Sequence, residues 1–310
     1  MNLFGIDTVG TPSMWLGFFA LIFVMLALDL GVFRRKSKVT SLRSALIWSI
    51  VWIALSLGFA YLVKVWFGPE RAMEFVTGYL IEKALSVDNI FVFVVIFSAF
   101  AIPPLYQHRV LFWGIFGALI MRIIFIFAGS ALLEKFHWTI YLFGGILIVT
   151  GIKLMIQKHG ESDPGKNPLV KLTRRFMPVT DGFRGEKFMV LENGRRFATP
   201  LLLALVAIEA TDVIFAVDSI PAIFAVTRDP FIVFTSNIFA ILGLRSLYFL
   251  LADIVDRFVY LKLGLSVILI FVGIKMTIVE FVKIPIPFSL GVILGILTIS
   301  ILASLYKTKK

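Results

Sequence analysis

The sequence predicts an all-α fold, a polytopic bundle of about nine transmembrane helices. Of the 310 residues, 59% are hydrophobic and only 16% are charged, and the mean hydropathy is +0.97. Soluble domains carry about 25% charged residues, so we expect most of this chain to lie in lipid. Its apolar runs have the length of helical spans, about 20 residues, whereas barrel strands would alternate over about ten.

Nine apolar stretches account for the predicted spans. In chain order they are residues 13–31, 42–67, 74–101, 109–132, 137–156, 200–226, 231–252, 259–282 and 286–306. Gly68-Pro69 and Pro103-Pro104 separate the second, third and fourth spans, because proline fixes φ and has no N–H to donate. We expect residues 1–310 to form a single transmembrane domain.

Basic residues predict the orientation of the spans. Residues 1–12 contain no Lys or Arg, so the first span is expected to be a true membrane helix rather than a signal peptide, which begins with a positive region. The chain has three basic clusters. One follows the first span, one occupies residues 158–198, and one lies at the end of the chain. Nine spans with the N-terminus outside place these clusters and the C-terminus in the cytoplasm, as the positive-inside rule requires. This explains much of the net charge of +11 without a nucleic-acid partner.

The polar segment at residues 158–198 is too short for an independent domain, so it is expected to be a cytoplasmic loop. Residues 160–168 have the composition of a linker. Residues 187–199 predict a β-hairpin, with Asn193-Gly194 as the turn between two apolar runs.

Spans three to five and six to eight are predicted to be two copies of one unit. The matched pairs are Glu82 with Asp212, Asp88 with Asp218, Asn89 with Ser219, Arg122 with Arg245, and Gly151-Ile152-Lys153 with Gly273-Ile274-Lys275. Each copy has three helices, so the second copy is inverted relative to the first. Inverted repeats around a polar midplane site are the architecture of secondary transporters. Coincidence is the weaker alternative, because the matched residues are the rare charged ones.

Ionisable residues inside the spans mark the predicted site. A charge at mid-span costs at least ~2.5–3.5 kcal/mol, so such side chains face the bundle interior or a water-filled cavity. The acids are Glu82, Asp88, Glu209, Asp212 and Asp218, and the bases are Lys83, Arg122 and Arg245. The excess of two negative charges suits one divalent cation.

The donor types restrict the cation. The chain has no Cys, which excludes disulfides, thiolate metal sites and cysteine nucleophiles. The available donors are carboxylates, the amides of Asn89 and Asn237, nearby hydroxyls, and a carbonyl freed by Pro221. All-oxygen sites suit Mg²⁺, Ca²⁺ or Mn²⁺ rather than zinc or copper. Because the second copy has Glu209 as an extra acid, we expect the ion to lie nearer to span six.

Several residues keep an alternative interpretation. Glu82 and Lys83 would also suit an ion pair at the membrane interface. Arg122 and Arg245 are expected to have a structural role, in which they neutralise carboxylates and hold helices together. Direct contact with the substrate is the less favoured alternative. Asp29 either reaches the site or is solvated at its helix end. No catalytic triad, phosphate loop or metal-protease motif occurs, so the sequence predicts neither an enzyme nor a bound cofactor.

These motifs resemble those of the TerC family. The resemblance rests on residues 82–89 (EKALSVDN), 209–212 (EATD), 215–221 (FAVDSIP) and 28–31 (LDLG). The start, Gly10-Thr11-Pro12 before a Trp-bearing helix, is similar to the Alx branch. By this match Glu82, Asp88, Asn89, Glu209, Asp212 and Asp218 correspond to the family's acidic motif residues, and Asp29 corresponds to its first-span Asp.

The resemblance implies a bacterial inner-membrane protein related to LysE-type exporters. Alx-like members are linked to manganese export and TerC members to tellurite resistance and metallation of exported enzymes. We therefore expect export of a divalent cation, above all manganese (Mn²⁺), by alternating access, with proton coupling as a hypothesis. The alternative is a membrane subunit that supports metallation of exported proteins or redox-stress resistance. Lipid and the metal ion are the expected partners, and no particular oligomeric state is predicted.

Overall fold

The computed structural model describes residues 2–3, 6–34, 42–136, 138–156, 168–192, 194–252, 260–279, 281–282 and 284–308. This described part contains eleven helices and two short hairpins. The elements are β1 Asn2–Leu3, β2 Ile6–Asp7, α1 Pro12–Arg34, α2 Leu42–Phe67, α3 Pro69–Ala99, α4 Pro104–Lys135, α5 Thr139–Ile156, α6 Pro168–Phe176, β3 Met189–Glu192, β4 Arg195–Ala198, α7 Pro200–Phe224, α8 Pro230–Ile241, α9 Leu244–Leu251, α10 Leu261–Thr277 and α11 Ile286–Thr308.

The prediction of a polytopic helical membrane protein is confirmed. Among the described residues, six stretches are long and apolar enough to cross a membrane: α2, α4, α5, α7, the α8–α9 pair and α11. α10 has 17 residues, and α3 carries the charged motif around Glu82. The count of nine spans therefore stays a prediction. Helices α3, α4, α7 and α8 all begin at a proline, which is well suited to the first helical position because it needs no N–H partner there.

The seventh predicted span is interrupted rather than continuous. α8 ends at Ile241, and α9 begins at Leu244 after Gly243 adopts a left-handed conformation with φ 84°. A Cβ at Gly243 would lie 2.7 Å from the ring of Trp52 in α2, so only glycine fits both the backbone and this contact. The interruption was not predicted, because a glycine in an apolar run is equally compatible with an unbroken helix.

The polar loop contains the predicted hairpin and one unpredicted helix. β3 and β4 pair antiparallel with Glu192 opposite Arg195, and Gly194 has φ 73°, as a tight turn requires. Amphipathic α6 packs against α7, with Val170 fully buried. Residues 157–167, most of the expected linker, lie outside the described part of the chain.

The two predicted copies pack on each other reciprocally. α3 of the first copy contacts α8 of the second, and α7 of the second contacts α4 of the first. α3 also packs against α7, and α5 against α10, so equivalent helices meet each other. These contacts are the ones expected of two copies related by a two-fold axis, and the inverted repeat itself stays a prediction.

Glycines let the backbones of α5 and α10 come together. A Cβ on Gly144 would lie 2.9 Å from the carbonyl oxygen of Gly273, and a Cβ on Gly273 would lie 2.8 Å from the carbonyl oxygen of Gly144. In lipid, where apolar burial does not drive helix association, such close backbone contact is a main source of packing energy.

Gly144→Ala is expected to destabilise the protein by about 1–3 kcal/mol, because the added methyl group overpacks the α5–α10 contact. Gly145→Ala is the matched control, since nothing lies within 4 Å of a Cβ at that position. Thermal unfolding of the purified protein in detergent measures both. Equal melting temperatures for the two variants would contradict the close contact.

Candidate functional site

A buried ion pair lies at the centre of the bundle. Arg122 Nη1 in α4 lies 2.6 Å from Glu82 Oε1 in α3, and each side chain is only 1% exposed. The same Nη1 donates to Ser219 Oγ in α7 at 2.9 Å. Arg122 therefore joins both copies of the predicted repeat, and the favoured structural role for this residue agrees with the geometry.

Two further polar groups complete this centre. Asn237 in α8 donates from Nδ2 to Glu82 Oε2 at 3.2 Å. Asp212, 4% exposed, interacts electrostatically with both Glu82 and Arg122. Of the two acids that the repeat pairs, Glu82 bonds directly to the guanidinium group, and Asp212 interacts with it electrostatically.

Lys83 does not pair with Glu82. Its ammonium group donates to the carbonyl oxygen of Ala240 at 3.1 Å, at the end of α8. In a continuous helix that carbonyl would accept from residue 244, and the interruption frees it. The alternative of an interfacial Glu82–Lys83 pair is wrong, because Glu82 is buried and bonded to Arg122.

Glu209 lies beside these acids in a less buried position on α7. Its carboxylate rests on the backbone of α4 at Gly117, where any Cβ would overlap it. Glu209 also interacts electrostatically with Asp212. The acids Glu82, Asp212 and Glu209 therefore all lie where α7 packs against α3 and α4.

Several buried oxygens near this centre lack a hydrogen-bond partner within the described residues. They are Ser86 Oγ, Asn89 Oδ1, Asp212 Oδ2 and Asn237 Oδ1. Glu82, Ser86 and Asn89 share one face of α3 by their spacing, and that helix packs against α7 and α8. The donor Arg122 Nε also lacks a partner within the described residues. Buried polar atoms are normally satisfied, so this centre has the capacity to hold water or a bound ion.

Part of the predicted site lies outside the described structure. Asp29, Asp88 and Asp218 belong to α1, α3 and α7, but their side chains are not among the described ones. Arg245 is buried in α9 and has interactions of its own. Among the described side chains, no three acidic or histidine groups converge as a metal site. The full ligand set therefore stays a prediction.

Sequence reasoning missed two contributions to this centre. One is the space that Gly117 leaves for the Glu209 carboxylate. The pair Gly114 and Gly117, on the helix that carries Arg122, could have indicated a close helix contact there. The other is the Ala240 carbonyl, which no side chain identifies.

Arg122→Met is expected to destabilise the fold by about 3–5 kcal/mol, because it leaves the Glu82 carboxylate buried without its cation. Arg109→Met is the matched control on the same helix: Arg109 pairs with Glu186, and both side chains are more than one-third exposed, so the loss should stay below about 1 kcal/mol. Denaturant unfolding in detergent measures both. The double variant Glu82→Gln/Arg122→Met should recover part of the loss, and equal losses at Arg122 and Arg109 would contradict the central role of the pair.

Comparison with known proteins agrees with the sequence motifs. Residues 67–310 match the family model described as the integral membrane protein TerC family. The chain is 60% identical over 302 residues to the uncharacterized membrane protein STKORF319 of Myxococcus xanthus, covering 97% of this chain and 95% of that protein.

Relatives from enteric bacteria carry a more specific name. The chain is 52% identical over 305 residues to the putative membrane-bound redox modulator Alx of Salmonella typhi, with 95% and 94% of the two chains covered. It is 50% identical over 303 residues to the protein of the same name from Escherichia coli K12, again covering 95% and 94%. No solved structure matches the chain. The chain belongs to the TerC family of integral membrane proteins.

Proposed function

We propose that this chain exports a divalent cation, with manganese (Mn²⁺) as the substrate, from the cytoplasm across the bacterial inner membrane. The observation that supports this proposal is the set of buried oxygens without partners, on Ser86, Asn89, Asp212 and Asn237, around the Glu82–Arg122 pair. Oxygen ligands suit hard divalent cations. The resemblance to the Alx branch favours manganese among them. The N-terminus lies outside and the C-terminus in the cytoplasm in this proposal.

Two internal cations hold the site in the absence of substrate. Arg122 neutralises Glu82, and Lys83 donates a hydrogen bond to the Ala240 carbonyl, which the interruption between α8 and α9 leaves free. An entering divalent ion binds the unpartnered oxygens beside these cations, and the acids Asp212 and Glu209 offset its charge. A site that always contains a counter-charge avoids the cost of an isolated charge within the membrane.

Export requires an energy source. Moving a 2+ ion against an inside-negative potential of 100 mV costs about 4.6 kcal/mol, at ~2.3 kcal/mol per charge. Inward protons supply this energy in the proposal, with Asp212 and Glu209 as carriers. Alternating access follows from rocking of one copy against the other around the central site.

Asp212→Asn is expected to reduce manganese flux into everted membrane vesicles at least about tenfold, because an isosteric amide loses the negative charge while keeping the shape. Asp181→Asn, an exposed acid in the polar loop, should leave flux unchanged. Asp88→Asn and Asp218→Asn should behave like Asp212→Asn. Equal flux in all variants would refute the exporter, and flux that persists after the proton gradient is collapsed would refute proton coupling.

Gly117→Ala is expected to displace the Glu209 carboxylate without removing it, because the added methyl group takes the space of the carboxylate. Manganese flux should fall as far as in Glu209→Gln, severalfold or more. Gly145→Ala, with open space at its Cβ, controls for the Gly-to-Ala change itself. Normal flux in Gly117→Ala would show that the position of Glu209 does not matter for transport.

A second candidate function comes from the name of the relatives, which describes a putative redox modulator. This chain has no Cys, so such a role here would not use its own thiols. It would act through metal supply to exported enzymes or to stress defence, with the basic loop as the contact for partners. Replacing residues 158–198 by a neutral linker separates the two functions. If the loop binds partners, stress resistance is lost while manganese flux stays normal. If the chain acts as an exporter, stress resistance and manganese flux both persist.

A further inference from the structure

A second polar cluster lies at the end of the bundle where α3 begins and α7 connects to α8. Glu74 is 6% exposed. Its Oε2 accepts from Arg71 Nη1 and from Thr227 Oγ1, each at 2.8 Å. Arg71 Nη1 also donates to Glu74 Oε1 at 3.0 Å. Both oxygens of this carboxylate are therefore already bonded.

The neighbouring acid is also fully used. Asp229 caps α8 by accepting from the backbone N–H groups of Phe231 and Ile232. It also accepts from the backbone N–H of Val9 at 2.6 Å and from the Thr8 hydroxyl at 3.2 Å. The cluster thus lies on the same side of the protein as the N-terminal segment, and Asp229 both accepts these hydrogen bonds and interacts electrostatically with Arg71.

A cavity of about 210 Å³ opens beside this cluster. Its charged lining residues are three bases, Arg71, Arg228 and Lys275, and one acid, Glu74. The lining itself therefore has an excess of positive charge, and the acids Asp229 and Glu70 outside the lining interact electrostatically with Arg71. The volume is below the ~300–1,000 Å³ of pockets for drug-sized ligands, so the cavity suits a small group.

Lys275 is the unusual member of this lining. It is only 8% exposed and lines the cavity, and the described residues offer its ammonium group no hydrogen-bond partner. Among the described residues, the carboxylate that interacts with it electrostatically is that of Glu74, which is also bonded to Arg71 and Thr227. An ammonium group with unused donors on the wall of a cavity can donate to an anion that enters the cavity. Lys153, the repeat equivalent in α5, is exposed, so the repeat itself does not demand this burial.

We propose that this cavity binds an oxyanion of the phosphate type, with Lys275, Arg71 and Arg228 as its cationic partners. Lysine and arginine are the side chains that proteins use for phosphate groups. Inorganic phosphate and the phosphate of an anionic lipid headgroup share this chemistry, and a basic pocket at the end of a helix bundle is accessible to both. The site shares no residue with the carboxylate centre, so it does not depend on the proposed transport function.

The test uses the full chain in phosphatidylcholine nanodiscs. Inorganic phosphate, titrated against chloride at constant ionic strength, should raise the melting temperature of the parent protein and of Lys153→Gln. Lys275→Gln should weaken phosphate binding about 10- to 100-fold, because a hydrogen-bonded buried charge is removed from the anion. Equal weakening in Lys153→Gln and Lys275→Gln would overturn the site.

A second arm identifies the source of the phosphate group. If the ligand is a lipid headgroup, nanodiscs that contain phosphatidylglycerol should raise the melting temperature of the parent protein but not that of Lys275→Gln. Stabilisation by inorganic phosphate alone supports a free anion, and stabilisation by neither overturns the proposal. If Lys275→Gln does not fold, Arg228→Gln at the exposed rim gives the same answer: weaker binding supports the site, and unchanged binding overturns it.

Discussion

Arg122 carries a full positive charge in the interior of a bundle that is surrounded by lipid, and this charge determines how three helices are arranged. Its guanidinium group contacts Glu82 on α3 and Ser219 on α7. Because neither the membrane nor the apolar core can solvate these groups, each depends on its partners remaining in place. The contacts of α4 with α3 and α7 are therefore specified by polar geometry, and the apolar side chains fill the space around it.

Close backbone contact is what makes this arrangement compact. Gly144 and Gly273 bring α5 and α10 together, and Gly117 makes room on α4 for the Glu209 carboxylate. Gly243 has a different role, because it interrupts a span and exposes a carbonyl that Lys83 then occupies. Small residues thus control both the packing of the bundle and the polar groups that its centre presents.

Much of this organisation was predictable from sequence. Proline positions gave the breaks between α2, α3 and α4, although the helices begin at Pro69 and Pro104, five residues before the predicted spans. Asn-Gly located the β3–β4 turn, and rare charges in apolar runs singled out Glu82 and Arg122, which the structure brings together. The interruption at Gly243 and the partner of Lys83 were not predictable. A glycine in an apolar span is equally typical of close packing, and a backbone carbonyl belongs to every residue type. Binding of a cation by Asp88 and Asp218 stays a prediction.

The location of the central ion pair also has a consequence for how the chain is made. Glu82 and Arg122 lie on α3 and α4, two consecutive helices that leave the ribosome before α7 and α8 exist. The pair can therefore enter the membrane as a hairpin whose two charges cancel, without waiting for Ser219 or Asn237. The hydrogen bond between Val9 and Asp229 joins residues 220 positions apart, so it forms only after the chain has been made as far as the start of α8. The central pair can therefore be neutralised long before the N-terminal segment contacts the second copy.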